Sequence, residues 1–187
     1  MCSSDLLGTL EAFTLNGFGI SNGGCVVNNS ASGVNFSGNR TLGSDIRVIN
    51  SGAGTLTWSG TSSGIFETQI GGAGNHTLSG AWAATGAMVR KEGAGTAAAT
   101  VAQGWTGNTY VFAGTFQDGV LNGLSSGNVI VAGGTFDIMT FTDTVGGVYL
   151  IDGTITGSTG VITGTSYTLE SGTISGILTG AIAVTKN

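Results

Sequence analysis

Apolar residues recur along this chain just after a repeated Gly-Thr step. The steps recur about every 20 residues, at Gly54-Thr55, Gly74-Asn75 (where Asn replaces Thr), Gly95-Thr96, Gly114-Thr115, Gly134-Thr135, Gly153-Thr154 and Gly172-Thr173. The residue after each step is mostly apolar and lies between small or polar residues, which is the two-residue period of a strand with one buried face. The pattern therefore predicts a short strand at the same place in each repeat.

Aligning the repeats gives two apolar columns that we expect to face inward. The first follows the steps and comprises Leu56, Trp58, Phe116, Phe136, Ile155 and Ile174. The second lies three residues before the step glycine, at Val111, Val131, Leu150 and Leu169. Two weaker copies come earlier, and we align Val34 and Phe36, and then Phe13 and Leu15, with Leu56 and Trp58. Each repeat therefore carries at least two strands.

A coil of about 20 residues cannot bury its apolar side chains alone, but stacking equivalent strands at about 4.8 Å buries them between neighbours. The sequence thus predicts an all-β fold, a right-handed parallel β-helix (β-solenoid) of about nine coils of 19–22 residues, in a single domain over 1–187. Residues 1–11 are expected as an N-terminal extension, and 177–187 as a terminal strand that pairs with another subunit. The absence of proline fits strands with neighbours on both sides.

A column of hydroxyl side chains is predicted on the outer surface. The threonines of the steps should stack above one another at Thr55, Thr96, Thr115, Thr135, Thr154 and Thr173. Flat threonine faces occur in ice-binding solenoids, but the next outward column, with Ala98, Gln117 and Asp137, is too mixed for such a face. Because threonine favours exposed strands in general, ice binding is the less favoured interpretation.

Composition favours a folded chain with a surface that carries little charge. Of 187 residues, 36 are glycine, 40% are hydrophobic and 8% are charged, with a net charge of −5. The bases form no cluster larger than Arg90-Lys91, so nucleic acid and anionic membranes are not expected partners. The sequence contains no run of 18 apolar residues, so it predicts no helix that spans a membrane. A surface this poor in charge is expected to be covered in part by copies of the same protein.

One stretch is similar to a known repeat. The segment VRKEGAGTAAATVAQGWTGNTYVFAGTF, residues 89–116, resembles the passenger-associated transport repeat of bacterial autotransporters. The matching residues are Lys91, Gly93, Gly95, Thr96, Asn108, Tyr110, Ala113, Gly114 and Thr115. The resemblance implies a secreted, right-handed parallel β-helix on a bacterial surface. It brings no catalytic residues with it, because such repeats act as stalks, adhesive rods and scaffolds.

Residue types that carry out catalysis are few and scattered. The acids concentrate only at Asp118, Asp137, Asp143 and Asp152, which fall at different offsets from their step glycines, so we expect solvated turn residues rather than a catalytic pair. His76 takes an apolar position in the first inward column and is expected to be a hydrogen-bonded interior residue rather than a general base. The sequence therefore predicts no catalytic, cofactor-binding or metal-binding residues.

The cysteines leave two alternatives open. A disulfide between Cys2 and Cys25 is one, and Cys25 as a small interior residue is the favoured other. The first ten residues have neither the basic region nor the apolar run of a signal peptide. We nevertheless expect an extracellular or cell-surface location in a bacterium, because the resemblance to autotransporter repeats implies it.

Neither end of the predicted solenoid has an evident cap. The last segment, with Ile182 and Val184, alternates like a strand, and the first is apolar. Because open strand edges pair readily with other chains, the leading hypothesis is a non-catalytic subunit of an extracellular filament that stacks head to tail with itself. The alternative is an adhesin or autotransporter passenger stalk that presents a surface to host or matrix glycans. A carbohydrate-active enzyme is less favoured still.

Overall fold

The computed structural model describes residues 12–83, 86–124, 126–180 and 183–186. These residues form one short 3-10 turn, Ile20–Asn22, and many short strands. The strands are β1 Phe13–Gly17, β2 Val26–Asn28, β3 Val34–Phe36, β4 Arg40–Asn50, β5 Leu56–Trp58, β6 Ser62–Ser63, β7 Thr68–Gly71, β8 His76–Leu78, β9 Trp82–Ala83, β10 Val89–Lys91, β11 Thr96–Ala99, β12 Thr109–Val111, β13 Thr115–Asp118, β14 Val129–Asp137, β15 Thr142–Thr144, β16 Gly147–Thr156, β17 Val161–Thr163, β18 Ser166–Leu169, β19 Thr173–Ile174, β20 Ile177–Thr179 and β21 Ala183–Lys186.

The strands stack in parallel along three sides of a β-solenoid. The first side runs through β2, the end of β4, β7, β10, β12, the starts of β14 and β16, β18 and β21. The second side runs through β3, β5, β8, β11, β13, the ends of β14 and β16, and β19. The predicted all-β parallel solenoid is therefore confirmed.

The third side begins with β1, the start of β4, β6 and β9, and it ends with β15, β17 and β20. Between β9 and β15 the strands give way to turns, but the backbone ladder continues. Gly104 donates to the carbonyl of Trp82 at 2.9 Å, Gln103 to that of Gly123 at 2.7 Å, and Asn122 to that of Thr142 at 3.0 Å.

The solenoid has about eight turns, whereas about nine were predicted. The difference arises in the two weak repeats at the start. Val34 pairs with Leu56 as expected, but Phe13 pairs with Arg40 and Leu15 with Leu42, on the third side. The alignment of Phe13 and Leu15 with Leu56 and Trp58 was therefore wrong. Strands β1, β2 and β3 are three sides of a single coil, so the two copies belong together.

Coil length falls steadily along the chain. On the first side, coil length can be measured as the number of residues between two positions that pair in neighbouring coils. The interval is longest near the start, where Val26 pairs with Val48, and it is shorter where Val131 pairs with Leu150. It is shortest at the C-terminal end, where β18 pairs with β21. Since each coil closes the same three-sided path, the shorter coils enclose a smaller cross-section.

Aromatic rings fill the interior of the longer coils. Six consecutive ring contacts join seven residues, with centroids 4.8 to 6.5 Å apart, in the range of favourable aromatic pairs. The residues are Phe13, Phe36, Trp58, Trp82, Trp105, Phe116 and Phe136. Beyond Phe136 the buried residues are mainly aliphatic, such as Leu150, Ile155 and Ile162.

Two kinds of constraint explain glycines at the corners. Gly72 has φ +97°, which side-chain-bearing residues rarely adopt. A side chain at Gly52 would instead collide with the carbonyl oxygen of Ser30 in the adjacent coil. Stacked corners therefore need glycine both for turning and for close backbone approach.

Candidate functional site

The structure buries most of the residues placed in the two inward columns. Those fully buried are Leu56, Trp58, Phe116, Phe136, Ile155, Val111, Val131 and Leu150. Ile174 and Leu169 point the same way but are only half-buried. Both lie in the last described coils, where β21 follows Leu169 on the first side and no described strand follows Ile174 on the second. Fewer described strands therefore cover these two side chains than cover the buried residues of the inner coils.

The step threonines form a continuous outer column in register. Thr96, Thr115, Thr135, Thr154 and Thr173 pair from coil to coil. Asn75 continues the column by accepting a bond from the Thr96 backbone N–H at 3.0 Å, and Thr55 occupies the equivalent position before Leu56. Asn75 and Thr173 are exposed, and the other threonines of the column are half-buried. The neighbouring column mixes Ala98, Gln117 and Asp137, so it has no regular lattice of hydroxyls.

The C-terminal end presents open strand edges. Among the described residues, β19, β20 and β21 each pair on one side only. Val184 faces inward, in register with the buried Tyr167, yet it is 62% exposed. Leu178 is in register with the buried Ile162 and is only half-buried. Ile182, predicted beside Val184, lies outside the described residues. The interior thus reaches solvent at this end.

A depression of about 410 Å³ opens into the core at this end. Its floor is apolar, from Leu150, Leu169 and Ile174, and Glu170 and Lys186 lie at its rim. The Lys186 ammonium donates to the Glu170 carbonyl at 3.1 Å. An apolar side chain from another coil would find apolar partners here.

At the other end, β1, β2 and β3 likewise pair on one side only within the described residues. Phe13, Val26 and Val34 are partly buried there. The predicted N-terminal extension, residues 1–11, lies outside the described residues. The two ends therefore expose strands on the same three sides, with the same parallel direction.

An aromatic face covers part of the first side, formed by Tyr110, Phe112, Ile130, Tyr149 and Ile151. The rings of Tyr110 and Phe112 lie 5.8 Å apart with planes within 3° of parallel. Ile130 pairs with Tyr110 on one side and Tyr149 on the other. Phe112 is 37% exposed and Ile151 43%. These neighbouring residues form an apolar area on the first side.

A network of opposite charges borders the aromatic face. Arg90 Nε lies 2.9 Å from Glu67 Oε1, and Arg47 Nη2 lies 3.2 Å from Glu92 Oε2. The Arg90 guanidinium also lies 5.0 Å from the centre of the Phe112 ring. The two arginines and two glutamates cancel in charge, so the border carries no net field toward an ionic ligand.

The expectation that Asp118 and Asp143 are solvated turn acids was wrong. Asp118 is 0% exposed and Asp143 1% exposed, because both point into the core, where their carboxyl groups adjoin each other. Burial, with the adjoining carboxyl of Asp143, raises the pKa of Asp118 to about 8, and burial raises the pKa of Asp143. One proton is therefore held between them at neutral pH.

The pair anchors the turn that follows β13. The backbone N–H of Leu124 donates to Asp143 Oδ2 at 2.7 Å, and that of Thr144 to Asp143 Oδ1 at 2.7 Å. Gly123 packs so closely on Asp118 that a side chain there would overlap its carboxyl oxygen. With no opening to solvent, these two acids cannot contact a polysaccharide chain. Asp137 and Asp152, in contrast, lie at the surface.

Two buried basic side chains serve the fold. His76 is buried as predicted, with Nε2 3.0 Å from the Gly71 carbonyl and Nδ1 3.5 Å from the Trp58 indole nitrogen. Burial lowers its pKa to about 4. Lys91 is also buried, and its ammonium donates to the carbonyls of Glu92, Gly93 and Ala113 at 2.7 to 3.1 Å. Sequence reasoning missed this role for Lys91, although a lysine at an inward register position was the signal for it.

Other candidate chemistry is limited. Cys25 is a half-buried free thiol, and Cys2 lies outside the described residues. Within the described ranges, no three His, Cys, Asp or Glu side chains are grouped to hold a metal ion. Across the same residues, no helix has the length and apolar character to cross a membrane. Comparisons with protein-family models, curated proteins and solved structures find no match.

Proposed function

We propose that the chain is a structural subunit of an extracellular filament, assembled by stacking the last coil of one copy on the first coil of the next. The observation that carries this proposal is the last described coil, where β21 pairs on one side only and the core opens into an apolar depression. Exposed, unpaired edges are otherwise avoided because they recruit further strands. A second copy would supply the strands and apolar side chains that complete this end.

The two ends expose strands on the same three sides, although the first coil is longer than the last. Strands β21, β19 and β20 of one copy lie on the same sides as β2, β3 and β1 of the next, so each ladder would continue in parallel. The surface with its 8% charged residues offers little repulsion between copies. Head-to-tail contacts of this kind do not close into rings by themselves, and they propagate into filaments. The resemblance to autotransporter repeats supports placing such a filament on a bacterial surface.

The proposal is tested on β21 with a matched pair of variants. Val184 faces inward, in register with the buried Tyr167, whereas Thr185 faces outward beside Thr168. We expect the 187-residue chain to form long rods in electron micrographs. Val184→Asp should leave single particles of roughly 40 Å, because the junction would then bury a charge. Thr185→Asp carries the same charge on the outer face and should still form rods.

Single particles at every concentration of the unsubstituted chain would contradict the filament proposal. So would rods that form equally well with Val184→Asp. Sedimentation velocity across a hundredfold range of concentration supplies an independent measure, since end-to-end growth shifts the whole distribution as concentration rises.

The aromatic face favours a second candidate function, the display of a glycan-binding surface. Stacked aromatic rings bordered by the ion pair of Arg90 and Glu67 suit the alternating apolar and hydroxyl surfaces of neutral sugars. Retention of single particles on an immobilised neutral polysaccharide, lost in Phe112→Ala, would support this function. Unchanged retention in Phe112→Ala would oppose it.

A further inference from the structure

Arg40 lies inside the solenoid and has no carboxylate partner among the residues that the structure describes. It begins β4 on the third side and is 3% exposed. Its guanidinium lies between two indoles, with Cζ 4.8 Å from the Trp58 ring centre and 5.1 Å from that of Trp82. Nη1 donates to the Gly60 carbonyl at 3.0 Å. Arg47 and Arg90, in contrast, form ion pairs with glutamates at the surface.

The guanidinium of Arg40 lies at the level of the next coil, the one that contains Ser62. Arg40 pairs with Ser62, and Ser62 pairs with Trp82. Two coil spacings, about 10 Å, thus separate the backbone of Arg40 from that of Trp82. A guanidinium 5.1 Å from the Trp82 ring must lie near the level of Ser62. The short serine side chain leaves space for it, so the three side chains meet inside the core.

Three buried polar atoms at this place have no hydrogen-bond partner within the described chain. They are Arg40 Nη2, Trp82 Nε1 and Ser62 Oγ. The guanidinium and the indole can only donate, and the hydroxyl can donate as well. Buried donors in folded proteins nearly always have an acceptor. The cluster therefore has an excess of donors and one positive charge.

No acid of the described chain supplies the missing acceptor. Glu67 and Glu92 pair with the surface arginines, and Asp118 and Asp143 pair with each other. The remaining described acids, Asp45, Asp137, Asp152 and Glu170, lie in surface segments elsewhere. Burial lowers the pKa of Arg40 to about 9, which leaves the guanidinium charged at neutral pH. A buried charge of this kind needs a counter-charge.

We propose that Arg40, Ser62 and Trp82 form an interior binding site for one small monovalent anion of the halide class, with chloride as the expected ligand. An anion accepts from all three donors and compensates the guanidinium. A water molecule would bring two hydrogens that need acceptors of their own, and this cluster provides donors. Because the site exists only when the coils around 40, 62 and 82 are stacked, anion binding stabilises the N-terminal coils.

The direct test uses bromide as the probe. Crystals of the full chain grown in sodium bromide should show an anomalous-scattering peak beside Arg40 Nη2, within hydrogen-bonding distance of Ser62 Oγ and Trp82 Nε1. A bromide peak there supports the site. An ordered water at that position, or bromide found only at the surface, would overturn it.

The solution test compares sodium chloride and sodium bromide with sodium gluconate at equal ionic strength. Gluconate screens the surface ion pairs equally but is too large for the core. With halide at ten times its dissociation constant, the ratio of folded to unfolded protein should rise about elevenfold. Equal unfolding midpoints in chloride and gluconate would contradict the proposal.

Variants separate the site from general salt effects. Arg40→Gln should abolish the difference between halide and gluconate. Ser62→Ala is a smaller change, which should leave the protein folded even if Arg40→Gln does not. It should weaken halide binding by roughly tenfold. Arg47→Gln removes a surface arginine and should retain the full halide effect. A halide effect that persists unchanged in Ser62→Ala would count against the assignment.

Discussion

The N-terminal half of the solenoid, residues 13–118, and the C-terminal half, residues 129–179, share one path but fill it differently. The first contains Trp58, Trp82 and Trp105, together with buried Arg40 and Lys91. The second is filled chiefly by branched aliphatic residues, in shorter coils. Coil length therefore follows the volume of what lies inside. A coil with aliphatic interior residues can therefore have fewer residues at its corners than a coil with aromatic ones, while its strands still pair in register with those of its neighbours.

The largest expected effect comes from a charge where the two halves meet. Phe136 is fully buried and stacks on Phe116 at 6.1 Å. Phe136→Asp should destabilise the fold by several kcal/mol, about 4 or more, because an unpaired carboxylate would enter the core. Urea unfolding followed by circular dichroism measures the change. Thr135→Asp puts the same charge on the outer face and should cost less than about 1 kcal/mol, so similar losses in both variants would refute the inward assignment.

A second prediction compares the contents of the two halves. Trp58→Ala should cost about 3–5 kcal/mol, because it removes a ring that contacts Phe36, Trp82 and Arg40. Ile155→Val removes one methyl group in the C-terminal half and should cost about 1 kcal/mol. The free energy of unfolding of each purified variant gives the comparison. A loss for Trp58→Ala as small as that for Ile155→Val would mean that the wide coils collapse around the gap and that ring stacking contributes little.

The third prediction concerns pH and the acid pair at the boundary between the halves. The folded pKa of Asp118 is raised to about 8, so the folded state holds a proton that the unfolded chain releases near pH 4. The stability that the pair contributes is therefore lost as pH rises through the folded pKa. Between pH 7 and 8 this contribution should fall by about 1 kcal/mol.

Asparagine variants isolate that contribution from other titrating groups. Burial lowers the folded pKa of His76 and of Lys91, so both groups add stability as pH rises and oppose the acid pair. They are common to all variants, so the difference between the unsubstituted chain and Asp118→Asn in free energy of unfolding reports the pair alone. Asp137→Asn, on the outer face beside Gln117, is the matched control for replacing a carboxylate by an amide. The difference in free energy of unfolding between the unsubstituted chain and Asp118→Asn should change between pH 7 and 8. If it is the same at both pH values, the pair does not hold a proton in this range.

The sequence predicted the fold well because repetition makes the same pattern visible many times. The step threonines and the residues after them were enough to define the second side and its register, from Leu56 to Ile155. The pairing of Phe13 with Arg40 could not be predicted, since a single weak copy fits any side of the coil equally well. Arg40, Lys91, Asp118 and Asp143 were missed as interior residues for a related reason. Polarity alone places such residues outside, and only the register of neighbouring coils shows that they face inward.

The decrease in coil length makes the solenoid wider at its first described coils than at its last. The filament proposed above would therefore alternate in width, with one step at each junction. Fibre diffraction should then show the strand spacing near 4.8 Å together with a longer axial repeat of roughly 40 Å from the subunit length. The taper would also give each filament a direction that can be read from its outline, without any label at either end.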